Sequence, residues 1–455
     1  MINIKIDSRK VKPGDTFVAI NGYNVDGHDY IPKAIENGAT KIIVEKEVNF
    51  PVDTLLVKDT NKWLNDYIID NYSDKLNNIK IIGITGTNGK TTTAYLTYQM
   101  LNLLNKKTAY IGTIGFYIPN EEIVELPNTT PNILDLYDHI LTAIEKKCEY
   151  LVMEVSSHAL DLGRVNGIKF EVGAFTNLTQ DHLDYHKTME NYLKSKLLIL
   201  KQLKGTLIVN DDDASANKWK TLYTNVKTLG KKDSYYKIDT YNDLIDGTDI
   251  QLKINNVVYK IKTNLKNEFN IYNYLTAVAL INNLGFELDS IFDITKNVYP
   301  PKGRCELIPI NNGIAVVDYA HTPDAVDKII SSFKKNKKGK IITVIGCGGD
   351  RDPKKRPIMG QIATENSDIV VFTSDNPRTE DPCIILENIL SGVIKNNYIV
   401  EIDRISAIHK ALDMMEKNDI VLVLGKGHED YQIIGTEKIH LDDLEEIKKY
   451  KQKKN

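Results

Sequence analysis

The sequence predicts an α/β protein of three domains. We expect a small α/β N-terminal domain (1–78), a central domain with a P-loop-type turn on a parallel sheet (79–299), and a C-terminal Rossmann-like α/β domain (300–455). The length of 455 residues suits about three domains. Residues 80–92, KIIGITGTNGKTT, combine an apolar strand, a glycine turn and the start of a helical pattern. In the last third of the chain, three apolar strands each run into a charged loop.

The composition excludes several classes of function. Hydrophobic residues make up 42% of the chain and charged residues 26%, which is ordinary for a soluble globular protein. The net charge of −3 gives no electrostatic argument for binding nucleic acid or a membrane surface. No apolar run has the length of a signal peptide core or a membrane span. The cysteines lack CxxC spacing, so we expect a cytoplasmic protein without a disulfide framework or a zinc site.

The stretch at 80–92 has the chemistry of a phosphate site. Main-chain N–H groups of a glycine turn and the N-terminus of a helix converge on an anion, a lysine neutralises its oxygens, and the next hydroxyl suits Mg²⁺. One departure from a Walker A pattern is that Ile84 stands six residues before Lys90, where that pattern has glycine. The alternative is a glycine turn that only packs a helix on a sheet, and it gives no reason for Lys-Thr at the helix start.

The compact form T-G-T-N-G-K-T-T resembles the ATP-binding loop of the Mur ligases, the amide-forming enzymes of bacterial cell-wall precursor synthesis. Similar motifs run from Asp7 to Glu429. The resemblance implies that the central domain is an ATPase domain, that ATP and Mg²⁺ are required, and that a diamino acid is added to UDP-MurNAc-L-Ala-D-Glu by a monomer. It assigns the ATP phosphates to Gly86, Thr87, Asn88, Gly89, Lys90, Thr91 and Thr92.

In the N-terminal domain we expect strands at 16–20, 41–44 and 54–57 and a helix at 30–37. The stretch DSRKVKPGDTFVAI is similar to the domain of the family that holds the uridine nucleotide. By this resemblance Ser8 and residues 23–25 contact the nucleotide, although a turn with a solvated charge is the alternative for DSR. Family members usually carry a further segment before this motif, so either part of the nucleotide wall is missing or the start codon is assigned late.

Further substrate residues are expected in the central domain. Residues 127–131, PNTTP, precede a helix at 133–146, and a helix N-cap is the ordinary role of such a segment. The resemblance instead assigns UDP-MurNAc-dipeptide binding to Asn128, Thr129, Thr130, Ser156 and Arg164.

Four residues are expected to carry the catalytic chemistry: Lys90, Glu154, His182 and Lys196. Glu154 ends an apolar strand, where an α/β sheet presents ligands. His182 lies in the polar stretch FTNLTQDHLDYH. From the pattern alone, Lys196 is a lysine on an amphipathic helix; the family carbamylates the matching lysine, which turns a cation into a metal-binding carboxylate. The expected Mg²⁺ ligands are Thr91, Glu154, His182 and carbamylated Lys196.

The nucleotide is expected to reach two further segments. After an irregular stretch from 211 to 249 and a hairpin around 255–256, NEFNIYNYLTAVAL resembles the adenine-contacting segment of the family, with Asn270 and Asn273 near the base. Asn267 takes the usual glycine position and tolerates positive φ. Arg304 and Asp318 would approach ATP from the C-terminal domain.

The C-terminal domain is expected to select the amino acid. Three charged loops follow three strands and would converge on one crevice of a parallel sheet. The glycines at 346, 348 and 349 lack the spacing of a dinucleotide fingerprint. D-N-P-R at 375–378 resembles the element of members specific for meso-diaminopimelate, whose far end needs a planar cation for its carboxylate and acceptors for its ammonium. The expected residues are Arg351, Asp375, Asn376, Pro377, Arg378, Gly425 and Glu429. The alternative is a β-turn with a solvated Arg378. The lysine-rich tail after Leu444 is expected in solvent.

The predicted reaction is therefore an ATP-dependent amide ligation through an acyl phosphate, with meso-diaminopimelate as the amino acid. Use of L-lysine or another diamino acid is the alternative within the reaction. From other classes, a P-loop NTPase without ligation does not explain two further domains, and a non-catalytic nucleotide-binding relative should have lost one of the metal residues. A folylpolyglutamate synthetase shares the loop but should lack D-N-P-R.

Overall fold

The computed structural model describes residues 3–22, 25–121, 123–244, 247–310, 313–335 and 337–454. The chain forms two compact units. The first comprises Met1–Thr85, Asn105–Gly173 and Ser195–Thr206, and the second comprises Gly86–Leu104, Ala174–Lys194 and Leu207–Asn455. No helix among the described residues is long and apolar enough to cross a membrane.

The N-terminal segment forms a four-stranded parallel sheet in the order β1-β2-β3-β4. Its core includes Phe17, Ile42 and Val44 from the strands and Ile31 and Ala34 from a helix. The elements are β1 (Ile4–Lys5), β2 (Thr16–Val18), α1 (Ile31–Glu36), β3 (Lys41–Val44), β4 (Asp53–Leu56) and α2 (Thr60–Tyr72). The strands and the helix predicted here are confirmed, with ends that differ by one or two residues.

The segment from 80 to 175 supplies strands that lie side by side in the order β9-β5-β8-β6-β7, and β7 is antiparallel to β6. The middle strands β5 and β8 are almost entirely buried, which explains their continuous apolar runs. The elements are β5 (Lys80–Thr85), α3 (Lys90–Leu103), β6 (Thr108–Gly112), β7 (Gly115–Tyr117), α4 (Ile133–Glu145), β8 (Tyr150–Glu154), α5 (Ser157–Asp161) and β9 (Phe170–Phe175).

The next segment corrects one prediction. Residues 211–249, expected to be irregular, contain a helix, two complete strands and the start of a third. The strand β12 was missed because only its first residues alternate between buried and exposed, so its apolar period is weak. The predicted hairpin is confirmed, and Asn255 and Asn256 form its turn with φ of 46° and 68°. The elements are α6 (Leu183–His186), α7 (Met189–Leu197), β10 (Leu207–Asn210), α8 (Ala216–Leu222), β11 (Val226–Gly230), β12 (Tyr236–Leu244), β13 (Gly247–Ile254), β14 (Val257–Thr263), α9 (Glu268–Asn283) and α10 (Leu288–Asp293).

The C-terminal segment forms a six-stranded sheet in the order β15-β16-β20-β17-β18-β19, parallel except for β15. Alternate residues of its strands point into two apolar cores, one with α11 to α13 and one with α14 and α15. The elements are β15 (Glu306–Ile310), β16 (Gly313–Asp318), α11 (Pro323–Lys334), β17 (Ile341–Ile345), α12 (Lys355–Asn366), β18 (Ile369–Phe372), α13 (Pro382–Leu390), β19 (Tyr398–Val400), α14 (Arg404–Asp413), β20 (Ile420–Leu424), β21 (Tyr431–Ile434), β22 (Glu437–His440) and α15 (Asp443–Lys454).

The expectation of a solvated tail is wrong. Helix α15 packs on the sheet through Leu444, Ile447 and Tyr450, all of which are buried. The apolar residues recur at intervals of three, which places them on one helix face, while the lysines occupy the other faces. The lysine content concealed this stripe. The α/β class predicted from the sequence is confirmed, whereas the domain limits at 78 and 299 stay predictions.

Candidate nucleotide and substrate site

The phosphate loop, residues 86–92, needs glycine at two positions. Gly86 and Gly89 have φ of 148° and 83°, which L side chains rarely adopt. A Cβ on Gly86 would lie 1.9 Å from Oγ1 of Thr176, and a Cβ on Gly89 would lie 2.4 Å from Oδ1 of Asn273. Both backbone strain and close approach therefore exclude a side chain. Gly89 is also the N-cap of α3, so the helix begins at Lys90.

The Lys90 side chain folds over the phosphate loop. Its Nζ donates to the main-chain oxygens of Gly86 at 2.9 Å and Thr87 at 2.7 Å. The ammonium thus lies over the turn at the N-terminus of a 14-residue helix, where the helix dipole also favours an anion. This is the position expected for a phosphate-binding lysine.

Residues 176–179 hold the phosphate loop in place. Thr176 Oγ1 and Asn177 Nδ2 donate to the main-chain oxygen of Asn88 at 2.7 and 3.0 Å. The main-chain N–H of Asn88 donates to Asn177 Oδ1 at 2.9 Å, and the N–H of Thr179 donates to Thr87 Oγ1 at 3.1 Å. The segment after β9 therefore acts as a rigid support for the turn.

Arg304 reaches the loop from the segment that precedes β15. Its Nη2 donates to Oγ1 of Thr91 at 3.3 Å. Asp318, at the end of β16, accepts from the N–H groups of Cys305 at 2.7 Å and Ala320 at 2.8 Å. Burial raises the pKa of Asp318, and the nearby charge of Arg304 opposes that rise. Asp318 thus fixes the main chain next to Arg304.

A cavity of about 450 Å³ collects most residues predicted to bind ATP. Asn267 begins α9 with φ of 73°, as expected for the glycine-like position, and Asn273 Nδ2 donates to Asn270 Oδ1 at 3.1 Å. The predicted residues that line the cavity are Asn88, Gly89, Thr92, Asn270, Asn273, Arg304 and Asp318. Two residues that the sequence did not single out, Asp212 and Tyr272, also line it, and the Tyr272 hydroxyl donates to Asp212 at 2.7 Å.

His182 lies next to a buried carboxylate. It has φ of 53°, and its Nε2 lies 3.4 Å from Oδ2 of Asp181. Burial acts to raise the pKa of Asp181, but nearby positive charge, above all that of His182, outweighs it, so the pKa is lowered. His321 Nδ1 lies 2.8 Å from the main-chain oxygen of Tyr319. Burial, with Lys355, lowers the pKa of His321 to about 4, so this ring is neutral at pH 7.

Within the first unit, Glu154 is fully buried and held by neutral donors. Its Oε1 accepts from the Tyr110 hydroxyl at 2.6 Å and from the Thr113 N–H at 2.8 Å. A Cβ on Gly112 would lie 2.2 Å from the same oxygen. The alternative of an edge carboxylate in water is therefore wrong. Lys196 is also buried, with 1% of its surface exposed, on α7.

The residues predicted for the UDP-MurNAc-dipeptide differ in exposure. Asn128 is exposed, whereas Thr130 is buried and its Oγ1 donates to the main-chain oxygen of Glu154 at 2.8 Å. Arg164 Nη1 donates to the main-chain oxygen of Thr130 at 3.0 Å. Thr129 and Thr113 share a hydroxyl–hydroxyl hydrogen bond of 3.0 Å. The structure thus connects 129–130 with Arg164 and Glu154.

Two interpretations of this region change. The N-cap of α4 is Asn132 rather than a residue of 128–130, so the N-cap alternative for that segment is wrong. Ser156 is itself an N-cap, since its Oγ accepts from the N–H of Ala159 at 3.1 Å.

Ser8 is buried, and its main-chain oxygen accepts from Asn37 at 2.8 Å. Of the loop 23–25, Tyr23 and Asn24 lie outside the described residues.

A charged cluster lies at the C-terminal edge of the six-stranded sheet; we define it as Asp375, Asn376, Arg378, Lys426 and Glu429. Asn376 Nδ2 donates to Glu429 Oε2 at 2.8 Å, and Lys426 Nζ donates to Asn376 Oδ1 at 3.0 Å. The loops after β18 and β20 therefore meet, as predicted. Gly425 has φ of 112°, and a Cβ there would lie 2.6 Å from Asp375 Oδ2.

The two carboxylates of the charged cluster have opposite pKa shifts. Burial acts to raise the pKa of Asp375, but Lys426 and Arg404 outweigh it, so the pKa is lowered. Burial and the charge of Asp375 raise the pKa of Glu429. Asp375 thus keeps its charge to lower pH than Glu429 does, and a cation placed beside Glu429 would lower the pKa of that carboxyl.

The predicted arginines have different surroundings. Arg378 is half-buried, and its Nη1 donates to the main-chain oxygens of Gly349 at 2.8 Å and Asn376 at 3.4 Å. The alternative of a fully solvated Arg378 is therefore wrong. Arg351 is exposed and donates to the main-chain oxygen of Asp350 at 2.9 Å. The main chain of Pro377 approaches Gly349 so closely that a Cβ there would lie 1.9 Å from the Pro377 oxygen.

Comparison with known proteins gives the family. Residues 2–75 match the profile of the Mur ligase family, catalytic domain; residues 84–281 match the Mur ligase middle domain; and residues 303–427 match the Mur ligase, glutamate ligase domain. Together these matches cover most of the chain.

The chain belongs to the Mur ligase family. The family resemblance drawn from the sequence is thereby confirmed, as is the three-domain architecture. The protein is similar to the UDP-N-acetylmuramoyl-L-alanyl-D-glutamate–2,6-diaminopimelate ligases of Clostridium botulinum, at 42% identity over 98% of this chain and 94% of that protein, and Fusobacterium nucleatum, at 44% over 97% and 92%.

Solved structures agree with the fold of this Mur ligase. A structure of a UDP-N-acetylmuramoyl-L-alanyl-D-glutamate–2,6-diaminopimelate ligase matches with a TM-score of 0.68 and 30% identity, covering 100% of this chain and 95% of that one. A MurF ligase from Thermotoga maritima, in complex with ADP, matches with a TM-score of 0.72 at 21% identity and 99% and 98% coverage.

Three residues of this Mur ligase escaped the sequence reasoning. Lys426 lies between two glycines after an apolar strand, a combination like that of the phosphate loop, and this signal could have revealed it. Arg404 precedes Ala407, Ile408 and Ala411 on the buried face of α14, so its place in the helical period was the signal. Tyr319 carried no such signal.

Proposed function

We propose that this Mur ligase adds meso-2,6-diaminopimelate to UDP-MurNAc-L-Ala-D-Glu with consumption of ATP, in the synthesis of peptidoglycan precursors. The observation that carries the proposal is the charged cluster. It presents carboxylates for an ammonium group beside the Arg378 guanidinium, which suits a carboxylate. The names of the similar Clostridium and Fusobacterium proteins support the same substrates.

The proposed chemistry begins with a carboxylate that cannot by itself react with an amine. The substrate carboxylate attacks the γ-phosphorus of ATP, the bond to the bridging oxygen breaks, and ADP leaves. The amine then attacks the acyl phosphate, and phosphate leaves with formation of the amide and loss of a proton. Lys90 and the N–H groups of the phosphate loop hold the phosphates, and Arg304 offsets their charge.

By the resemblance to the family, Thr91, Glu154, His182 and carbamylated Lys196 are the proposed ligands of Mg²⁺. The donor set fits the ion in part, since it offers a hydroxyl and carboxylate-type oxygens, which Mg²⁺ prefers. Glu154 supports the assignment because its carboxylate lies at the end of a buried strand and is oriented by the Tyr110 hydroxyl and by Thr113. Bound there, the ion would neutralise phosphate charge.

Carbamylation of Lys196 is proposed on the resemblance to the family, in which the matching lysine is modified, and the side chain is 1% exposed here. Lys196→Glu should keep more activity than Lys196→Ala or Lys196→Arg, because only glutamate offers metal-binding oxygens. Initial rates at saturating substrates test this. Activity of Lys196→Arg equal to that of the wild type would show that an ordinary cation suffices.

The remaining assignments are proposed with this function. Ser8, Asn128, Thr129, Thr130, Ser156 and Arg164 would contact the UDP-MurNAc-dipeptide, and domains 1–78, 79–299 and 300–455 would bind that substrate, ATP and the amino acid. A cytoplasmic location and a monomeric state are proposed with this function.

A panel of amino acids tests the proposal. The protein is mixed with ATP, Mg²⁺ and UDP-MurNAc-L-Ala-D-Glu, and ADP release and product mass are followed with meso-diaminopimelate, L-lysine, L-ornithine or no amino acid. We expect rapid ADP release and a new amide only with meso-diaminopimelate. Equal use of L-lysine would contradict the choice of amino acid. ADP release independent of any amino acid would favour an NTPase without ligation.

A further inference from the structure

Tyr319, which directly follows β16, contacts both sides of the proposed active site. The guanidinium carbon of Arg304 lies 4.4 Å from the centroid of its ring. Its hydroxyl donates to Oε1 of Glu429 at 3.4 Å. One side chain thus joins a cation that contacts Thr91 of the phosphate loop with a carboxylate of the charged cluster.

The contact with Arg304 orients the guanidinium without using its donors. A carboxylate in the same place would accept from the N–H groups and compete with a phosphate for them. A ring face attracts the cation through its quadrupole and leaves the N–H groups directed outward. Arg304 can therefore keep its contact with Tyr319 while it donates to Thr91 or to a nucleotide oxygen.

The contact with Glu429 fixes one carboxylate oxygen. The other, Oε2, accepts from Asn376 at 2.8 Å and from Lys426 at 3.4 Å. With Tyr319 on Oε1, both oxygens are directed by protein donors, so the plane of the carboxylate is set. Burial raises the pKa of Tyr319, so the phenol keeps the proton that it donates.

The surroundings restrict movement of the ring. His321 and His428 contact it with ring centroids at 4.6 and 5.1 Å. The main chain on either side also meets, since a Cβ on Gly303 would lie 2.1 Å from the carbonyl carbon of Gly427. The residue before Arg304 and the loop that carries Glu429 are therefore in direct contact, so a shift of one would displace the other.

We propose that Tyr319 is a positioning residue that couples the nucleotide side to the amino-acid side, its ring orienting Arg304 and its hydroxyl orienting Glu429. The amino-acid half of this inference rests on the proposed function. Order imposed on Arg304 by a bound nucleotide would reach Glu429 through a single side chain, and the coupling acts equally in both directions for binding.

Two substitutions in the full-length chain separate the two contacts. Tyr319→Phe keeps the ring and removes the hydroxyl, whereas Tyr319→Leu removes both. For Tyr319→Phe we expect the KM for meso-diaminopimelate to rise about tenfold, as for a lost hydrogen bond to a charged group. Its KM for ATP and its affinity for ADP with Mg²⁺, measured by calorimetry, should stay unchanged. For Tyr319→Leu the affinity for ADP should also fall about fivefold, the size of a cation–π contact at a partly exposed site.

Tyr236→Phe is the matched control. It removes another part-buried hydroxyl, which donates to Asn282 at 2.7 Å and accepts from Asn283 at 2.8 Å. Tyr236 is not among the residues that line the cavity, so every constant should stay unchanged. Equal rises of both KM values in Tyr319→Phe, or no change in either, would overturn the coupling. Wild-type protein that does not use meso-diaminopimelate would contradict the proposed function and with it the amino-acid half. The ADP titrations of the Phe and Leu variants would then still decide the arginine half.

Discussion

In the phosphate loop, Lys90 donates to main-chain oxygens three and four residues before it, whereas in the charged cluster Lys426 donates to a side chain fifty residues before it. The first lysine is placed by a turn whose glycines admit one backbone path. The second is placed by loops from different strands that meet only when the sheet forms. The position of Lys90 therefore depends on neighbouring residues, whereas the position of Lys426 depends on residues that are distant in the sequence.

The largest effect is expected in the phosphate loop. Lys90→Ala should abolish ligation, with a loss of at least about 2.7–4 kcal/mol of transition-state stabilisation, the value of one preorganised donor. Because Lys90 is only half-buried and donates to main-chain oxygens of its own turn, the thermal unfolding midpoint should hardly change. Near-normal turnover would show that the loop takes no part in the mechanism. A large fall in the midpoint would show that Lys90 also stabilises the fold.

Beside the charged cluster lies a buried ion pair between Arg404 and Asp443, and its loss should lower the stability of the fold. Arg404 is fully buried and donates to both oxygens of Asp443, at 2.8 and 2.7 Å, and to the main-chain oxygen of Leu424 at 3.0 Å. Arg404→Met leaves a buried carboxylate without its partner and should lower the free energy of unfolding by about 3–5 kcal/mol. Urea unfolding measures this.

A double variant supplies the control for Arg404. In Arg404→Met with Asp443→Leu neither charge of this buried ion pair remains, so most of the lost stability should return. Since Arg404 also lies 3.9 Å from Asp375, use of the amino acid should remain impaired in the double variant. Full recovery of both stability and activity would show that the cluster does not depend on this ion pair.

Substitution of Arg378 tests whether the charged cluster binds the amino-acid substrate. Arg378→Ala should lower kcat/KM for meso-diaminopimelate by an amount equivalent to about 2–5 kcal/mol. The reason is the loss of the proposed charge pair between the guanidinium and the substrate carboxylate. The exposed Arg351 is the matched comparison, and Arg351→Ala should cost less because water screens its charge. Steady-state kinetics with varied amino acid measure both. A greater loss for Arg351→Ala would reverse this order.

The smallest effects are expected from a pair of glycine substitutions, one in each region. Gly89→Ala would press on Asn273 and should raise the KM for ATP, whereas Gly425→Ala would press on Asp375 and should raise the KM for the amino acid. Each also strains a backbone with positive φ, at a cost of about 1–3 kcal/mol. Changes in the same constant for both variants would mean that the two regions are not separable.

Contiguous motifs could be interpreted without the structure. The phosphate loop, the positive φ of Asn267 and the turn at 255–256 depend on neighbouring residues, and each was predicted where it is found. The buried face of α15 and the strand β12 were missed, because lysines mask the first and weak alternation hides the second. Tyr319 could not be assigned a role from the sequence. Its contacts with Arg304 and Glu429 join separate loops and exist only in the folded domain.

By itself, the sequence determined the α/β class, the family and the chemistry of the phosphate loop, because periodicity and local turn geometry act over a few residues. Only the tertiary structure decided which charges meet at the sheet edge: the pairing of Lys426 with Asn376, of Arg404 with Asp443, and of Tyr319 with both Arg304 and Glu429. These contacts depend on the order of the strands in the sheet, in which β20 lies between β16 and β17, and strand order is a property of the whole packed domain.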